Sequence, residues 1–209
     1  MKRNPWLLTL VISFYCISSF GQIWVSEPSL GKMLAKQVLN QPTSNKTGIL
    51  INTQNQFQSI DGFGYTLTGG SAQLIYALEA SKRKTLLEEL FGQGPSSIGI
   101  SVLRIAVGAS DLDGKVFSYD DVPSGQTDPS LKQFSLKASQ SDLIPLMQEI
   151  KKINPKIKFM ATPWSPPAWM KDNQSSKGGS LLPGNYQVYA NYLVRYLREM
   201  KALGLEIDY

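Results

Sequence analysis

The stretch Ile98-Gly-Ile-Ser-Val-Leu-Arg-Ile-Ala-Val107 decides the fold class. It is an apolar run bounded by Gly94-Pro95 on one side and Gly108 on the other, with the length and punctuation of a buried strand. Similar runs recur along the chain. Phe57–Gly64 (Phe-Gln-Ser-Ile-Asp-Gly-Phe-Gly) reads as a strand ending in glycines, Ile157–Thr162 as another, and Leu205–Tyr209 as the start of one more. Between them the apolar residues fall at helical spacing. Residues 71–91 place Leu74, Ile75, Leu78, Leu86, Leu87, Leu90 and Phe91 on that period, with Ser81 as an N-cap that restarts the helix. Ser141–Ile153 is a second helix and Tyr186–Leu203 a third. In the third, Tyr189, Tyr192, Leu193, Tyr196, Leu197 and Met200 share a face, and Gly204 stands where a C-capping glycine belongs.

Strands alternating with helices predict βαβ units and a parallel sheet. The segments after the strands (Gly108–Phe134 and Pro163–Asn185) are long and polar, whereas those after the helices are short. That asymmetry belongs to a (β/α)8 barrel, whose site is built on the loops following the strands. A complete barrel takes roughly 250 residues. The α/β pattern here covers three units and the start of a fourth, so residues 57–209 read as the N-terminal half of a (β/α)8 TIM barrel in a truncated chain. Residues 22–56 form a separate N-terminal segment, mostly polar, in which Ile49–Asn52 is the best short strand.

Residues 1–21 have the make-up of a secretory signal peptide. Lys2 and Arg3 precede an apolar run from Trp6 to Phe20, and Ser19 and Gly21 supply the small residues that a signal peptidase needs. The run is too short for a membrane span of roughly twenty residues. Cleavage near Gly21–Gln22 is expected, leaving no stable membrane anchor and a secreted or periplasmic protein (lysosomal or secretory in a eukaryote). Tyr15 before Cys16 is too bulky for a lipoprotein signal.

Composition then narrows the chemistry. The 209 residues contain no histidine, which removes Ser-His-Asp and Cys-His catalysis and every His-ligated metal site. One cysteine, inside the leader, removes zinc fingers and CxxC redox chemistry. The net charge of +5 drops by two when Lys2 and Arg3 leave with the leader, and the remaining basic residues are scattered. No nucleic-acid partner is expected. Neither a P-loop nor a dinucleotide fingerprint is present, and no cofactor or metal is expected.

Four residues after or within the strands stand out. Arg104 is a charged residue in a run otherwise suited to burial, which is costly unless it is paired. It serves either a structural ion pair or the floor of an active site, where it would hold a carboxylate. Asp111 follows the same strand. Asp111-Leu-Asp113-Gly114 faintly resembles a calcium loop but lacks the further oxygen ligands and the closing Glu. The alternatives are a plain polar turn and a hydrogen-bonding role toward a hydroxylated ligand. Two tryptophans and three prolines fall within Pro163–Trp169, making a stiff aromatic loop. Trp164 and Trp169 each either pack over the barrel or offer a flat face to the C–H side of a pyranose.

Taken together, Asp61-Gly-Phe-Gly64, Ser101-Val-Leu-Arg104, Ala109-Ser-Asp111, Thr162-Pro-Trp164-Ser-Pro-Pro-Ala-Trp169-Met-Lys171 and Gly204-Leu-Glu-Ile-Asp-Tyr209 resemble glycoside hydrolase family 30, the group of glucosylceramidases and β-1,6-glucanases. The resemblance runs in order from Phe57 to Tyr209. It implies a (β/α)8 barrel with a side β-sandwich, to which the segment before Phe57 would donate strands. It also implies retaining hydrolysis of a β-linked glucoside or glycolipid by two glutamates. By position, Arg104 would support the catalytic carboxylates, while Asp111 and Trp164 would bind the substrate's non-reducing sugar. In this family the acid/base Glu follows strand four in an Asn-Glu-Pro motif and the nucleophile lies on strand seven. Neither position falls within these residues, so no catalytic residue is expected here and the fragment alone is expected to be inactive. The alternative is a secreted, non-catalytic sugar-binding module.

Overall fold

The computed structural model describes residues 23–37 and 52–209. The leader expected at 1–21 and nearly all of the strand expected at Ile49–Asn52 lie outside the described residues. The chain divides into two compact units, Met1–Phe57 and Gln58–Tyr209.

The first unit contains a hairpin that the sequence reading missed. Strand β1 (Ile23–Glu27) turns through Pro28–Leu30 and pairs antiparallel with β2 (Lys32–Gln37). The ladder is irregular between Val25 and Glu27, where a bulge shifts the register. Most of its described side chains face solvent, so it shows little of the apolar alternation that announces a strand.

The second unit is built on a parallel sheet in the order β3-β4-β5, with β3 at Gly64–Leu67, β4 at Val102–Val107 and β5 at Lys158–Pro163. Helices α1 (Gly69–Tyr76) and α2 (Ala80–Phe91) connect β3 to β4, α3 (Leu143–Ile153) leads into β5, and α4 (Tyr186–Ala202) follows it. Side chains alternate across the sheet. Leu67, Leu103, Ile105 and Phe159 are fully buried on the side covered by helices. Leu87, Phe91, Leu146, Met147, Ile150, Tyr192 and Met200 join them from the helices in one apolar cluster. Gly64, Thr66, Val102, Arg104, Lys158 and Met160 share the opposite side by register.

Three expected boundaries move. The strand expected at Phe57–Gly64 lies instead at Gly64–Leu67, and Phe57 is 88% exposed. Gly64 marks the start because the backbones close up there: a Cβ on it would collide with the carbonyl of Val102. The run at Ile98 becomes a strand only from Val102, leaving Ile98 exposed. The helix restart is capped by Glu79, whose carboxylate accepts from the Ser81 and Lys82 amides, so Ser81 is inside α2.

Helix α4 ends as expected. Gly204 has φ of +78°, and the amides of Gly204 and Leu205 bond to the carbonyls of Lys201 and Met200. Its buried face is Tyr192, Tyr196 and Met200, whereas Leu197 is 44% exposed. Beyond it, Leu205–Tyr209 forms no full ladder but runs along β5. The amides of Asp208 and Tyr209 bond to the Phe159 carbonyl, and the Ala161 amide bonds to that of Tyr209.

The polar insertion Gly108–Phe134 is more ordered than its composition predicts. Tyr119, Leu131 and Phe134 are buried. Tyr119 stacks on Tyr196 at 5.5 Å, and Phe134 meets Tyr192 edge-on at 5.2 Å. The Tyr119 amide donates to the Tyr192 hydroxyl at 3.1 Å, tying the insertion to α4.

Gly64→Ala is expected to destabilise the second unit by roughly 2–3 kcal/mol through overpacking against β4. Gly114→Ala, at a position where a Cβ meets nothing within 4 Å, is expected to be neutral. Urea midpoints at an unchanged slope measure both.

Candidate active-site face

Arg104 lies midway along β4, between Thr66 of β3 and Met160 of β5 in register. Because its neighbours Leu103 and Ile105 are buried under the helices, alternation sends Arg104 to the opposite, open side. Its Nη1 donates to the Thr66 hydroxyl at 3.3 Å. Among the described residues it has no carboxylate partner, so the structural ion pair considered from sequence is not formed there. The rest of the guanidinium fork, a rigid bidentate donor, stays available on that side.

Asp111 occupies the turn immediately after β4 and is exposed. The turn is held by its neighbour: Asp113 Oδ2 accepts from the Ser110 amide at 2.7 Å and from the Ser110 hydroxyl at 2.6 Å. Asp113 therefore serves as the turn's own fastening, and Asp111 is left facing water. No group of three or more metal-ligating carboxylates or thiols occurs among the described residues.

Trp164 follows the end of β5 and is half-buried. It lines a cavity of about 250 Å³ with Phe117, Ser118, Asp121 and Ser176. Its loop is stiffened locally. The Ser165 hydroxyl donates to the Pro166 carbonyl at 2.9 Å, and the buried Lys171 ammonium reaches Ser165 at 3.4 Å. Trp169 is instead a packing residue. It is buried, and its indole N–H donates to both the carbonyl (3.0 Å) and the carboxylate (3.2 Å) of Asp120. Asp111 and Trp164 thus follow the C-terminal ends of adjacent parallel strands, with Arg104 on the open side of the first. Among the described residues no hydrogen bond or ion pair joins the three.

Two features escaped the sequence reading. Asp120 is fully buried, and its Oδ1 has no hydrogen-bond partner. Desolvation, reinforced by the charge of Asp128, pushes its carboxyl up to about 6, against the opposing hydrogen bond from Trp169 and the charge of Arg195. Tyr-Asp-Asp in a polar stretch gave no signal of burial. The second feature links Asp61, Lys158 and Tyr209. The Tyr209 hydroxyl donates to Asp61 at 2.8 Å, and Lys158 donates to that hydroxyl at 2.9 Å and pairs with Asp61 at 3.6 Å. The Tyr209 hydrogen bond, then the Lys158 charge, hold the Asp61 carboxyl below its ordinary range. Partners 148 positions apart in sequence leave no local pattern.

Comparison with known proteins follows the same geometry. Residues 60–207 match the family model for the glycosyl hydrolase family 30 TIM-barrel domain. An endo-1,6-β-D-glucanase of Neurospora crassa is 32% identical over 80% of this chain and 36% of its own length. The lysosomal acid glucosylceramidase of Mus musculus is 32% identical over 79% of this chain and 33% of its own. Among solved structures, the endo-β1,6-glucanase BT3312 superposes with a TM-score of 0.71 at 31% identity, covering 89% of this chain and 40% of that one. The chain thus spans about a third of the length of the curated relatives it matches, and β3–β5 with their helices are the first part of a (β/α)8 barrel.

Asp120 makes stability depend on pH. Its folded value lies above the ordinary 3.8, so the native state holds the proton more tightly, and stability falls as pH rises from 3.8 through about 6. Asp120→Asn keeps an acceptor for Trp169 and is expected to flatten that part of the curve and raise stability above it. Thermal melts of both proteins across the interval give the comparison.

Proposed function

The chain belongs to glycosyl hydrolase family 30, and from that premise we propose that it is the sugar-holding part of a retaining β-glycosidase acting on glucosylceramide or a related β-glucoside. The observation that carries the reading is the free guanidinium fork of Arg104 on the open side of a sheet whose next loops present Asp111 and Trp164. Each group has a distinct task. The Arg104 charge favours the ionised form of a carboxylate beside it, which a glycosidic nucleophile requires. Asp111 accepts hydrogen bonds from sugar hydroxyls, and the Trp164 ring covers the apolar face of a pyranose.

The retaining reaction needs two carboxyls about 5–5.5 Å apart: one protonates the departing oxygen while the other attacks the anomeric carbon. Glu206 does not fit either task. It lies at the start of the segment that runs along β5, at the end away from the βα loops, and it is paired with Lys201 at 2.7 Å. The two carboxyls would come from strands four and seven, and the residues described here would bind the glucoside without cleaving it. The activities for which the relatives are named, a 1,6-β-glucanase and a glucosylceramidase, share a β-linked glucosyl unit, which supports that unit as the group held at Trp164. The Lys2-Arg3 leader supports export from the cytoplasm as the setting.

Trp164→Ala is expected to weaken binding of methyl β-glucoside about tenfold. Arg104→Gln, in a chain carrying the strand-four and strand-seven glutamates, is expected to lower kcat for an aryl β-glucoside far more than it alters KM. Unchanged glucoside binding in the first variant, together with unchanged turnover in the second, overturns the reading. Turnover of glucosylceramide against β-1,6-glucan distinguishes the two substrate classes.

A further inference from the structure

Helix α1 opens on two adjacent glycines, Gly69 and Gly70, although glycine is the poorest helix former apart from proline. Neither has a positive φ, so backbone conformation does not call for glycine at either position. Space does. A Cβ on Gly70 would strike the carbonyl oxygen of Leu112, and one on Gly69 would strike the Asp113 carboxylate. Both obstacles belong to the turn 110–113, where Asp111 stands exposed.

The turn holds its own shape. Its neck is closed by the Ala109 amide, which donates to the Phe117 carbonyl at 3.0 Å. Within it, the Asp113 amide donates to the Ser110 carbonyl at 3.2 Å, and the Leu112 amide to the Ser110 hydroxyl at 3.3 Å. Asp113 Oδ2 fastens the far side back onto Ser110. None of these bonds sets how near the turn stands to α1. That distance is set where Leu112 and Asp113 bear on the two glycines. The Asp113 carboxylate is drawn to the first turn of the helix, whose dipole favours a negative charge, and bare backbone stops its approach.

Burial decides which side yields if the seat is filled. Helix α1 has no room to retreat: the Thr68 hydroxyl caps it through the Ser71 amide at 3.1 Å, and Leu67 and Ala72 on either side of the cap are fully buried. The turn does have room, since Asp111 is exposed and Leu112 is 64% exposed. A methyl group on Gly70 therefore pushes the turn away from α1, and Asp111 moves with the Leu112 backbone.

We propose that Gly69 and Gly70 are positioning residues for Asp111: their bare backbone is the seat that fixes the turn 110–113, and with it the reach of the Asp111 carboxylate toward a sugar hydroxyl. The inference rests on the glucoside reading above and adds to it two residues that touch no sugar. A hydroxyl-to-carboxylate hydrogen bond spans only about 2.5–3.0 Å, so a displacement of about 1 Å breaks it.

The test titrates the full chain, Gly70→Ala, Asp111→Ala and the double variant with methyl β-glucoside and its monodeoxy analogues. Gly70→Ala is expected to weaken glucoside binding about tenfold with little change in thermal midpoint. It should also stop distinguishing the glucoside from the one deoxy analogue that the parent chain binds poorly and Asp111→Ala does not discriminate. In the double variant the second substitution should cost nothing further, because both remove the same hydrogen bond. Undiminished binding by Gly70→Ala, beside weakened binding by Asp111→Ala, overturns the seat and leaves the glucoside reading intact. Losses that add in the double variant also overturn it, since Gly70 then acts by a route other than Asp111. Normal binding by Asp111→Ala overturns the positioning role whatever Gly70→Ala does. Absence of glucoside binding by the parent chain overturns both readings. Should Gly70→Ala fail to fold, Gly69→Ala, which meets a side chain instead of a carbonyl, takes its place in the same comparison.

Discussion

Period two along β4 is the constraint on which the rest depends. Leu103, Ile105 and Val107 are buried against helices that cover one side of the sheet, so Arg104 must face the other. A one-residue slip would bury the guanidinium among Leu67, Phe159 and Met147 and expose three aliphatic side chains. The close approach at Gly64 locks the same register from the neighbouring strand, where any side chain would strike the Val102 carbonyl. A charge is thus held on the open side of the sheet at no burial cost, because the apolar residues on either side of it have taken the core.

From that sheet, the loops after the strands inherit their positions. The insertion after β4 is anchored through Tyr119 and Phe134 onto Tyr192 and Tyr196 of α4, a helix that enters only after β5. The loop after β5 is anchored in turn by Trp169 on Asp120 of that insertion. Each loop therefore depends on the other, and the half-buried Trp164 sits in the chain between Pro163 and Pro166, ahead of the buried Trp169. Holding an aromatic side chain this way removes conformational freedom before any ligand arrives. The unpartnered oxygen of Asp120 is the cost of that joint.

Much of this was legible from residue pattern. The parallel α/β order and the positions of α3, β5 and α4 follow from apolar periodicity. The ordered blocks from Asp61-Gly-Phe-Gly64 to Tyr209 indicated the family that residues 60–207 match. Less was visible where patterns mislead. Phe57, Ile60 and Phe63 look like strand residues yet are exposed, because the pairing edge begins at Gly64. The insertion looks like a polar loop, yet its few aromatics enter a core supplied by a helix some sixty residues later, as in the Tyr119–Tyr192 bond spanning 73 positions. The hairpin at 23–37 escaped because its ladder is bulged and largely solvated.

What the sequence alone determined are properties set by neighbours in the chain. These are helix and strand periods, the glycine cap after α4, the stiffness of the proline-tryptophan loop, and the absence of histidine chemistry. Tertiary structure alone decided that Trp169 is buried onto Asp120 while Trp164 stays half-buried, and which of two aspartates after β4 fastens the turn. The physical reason is range. Backbone propensity acts over a few residues, whereas burial and hydrogen-bond satisfaction are settled by partners that folding brings together from distant parts of the chain.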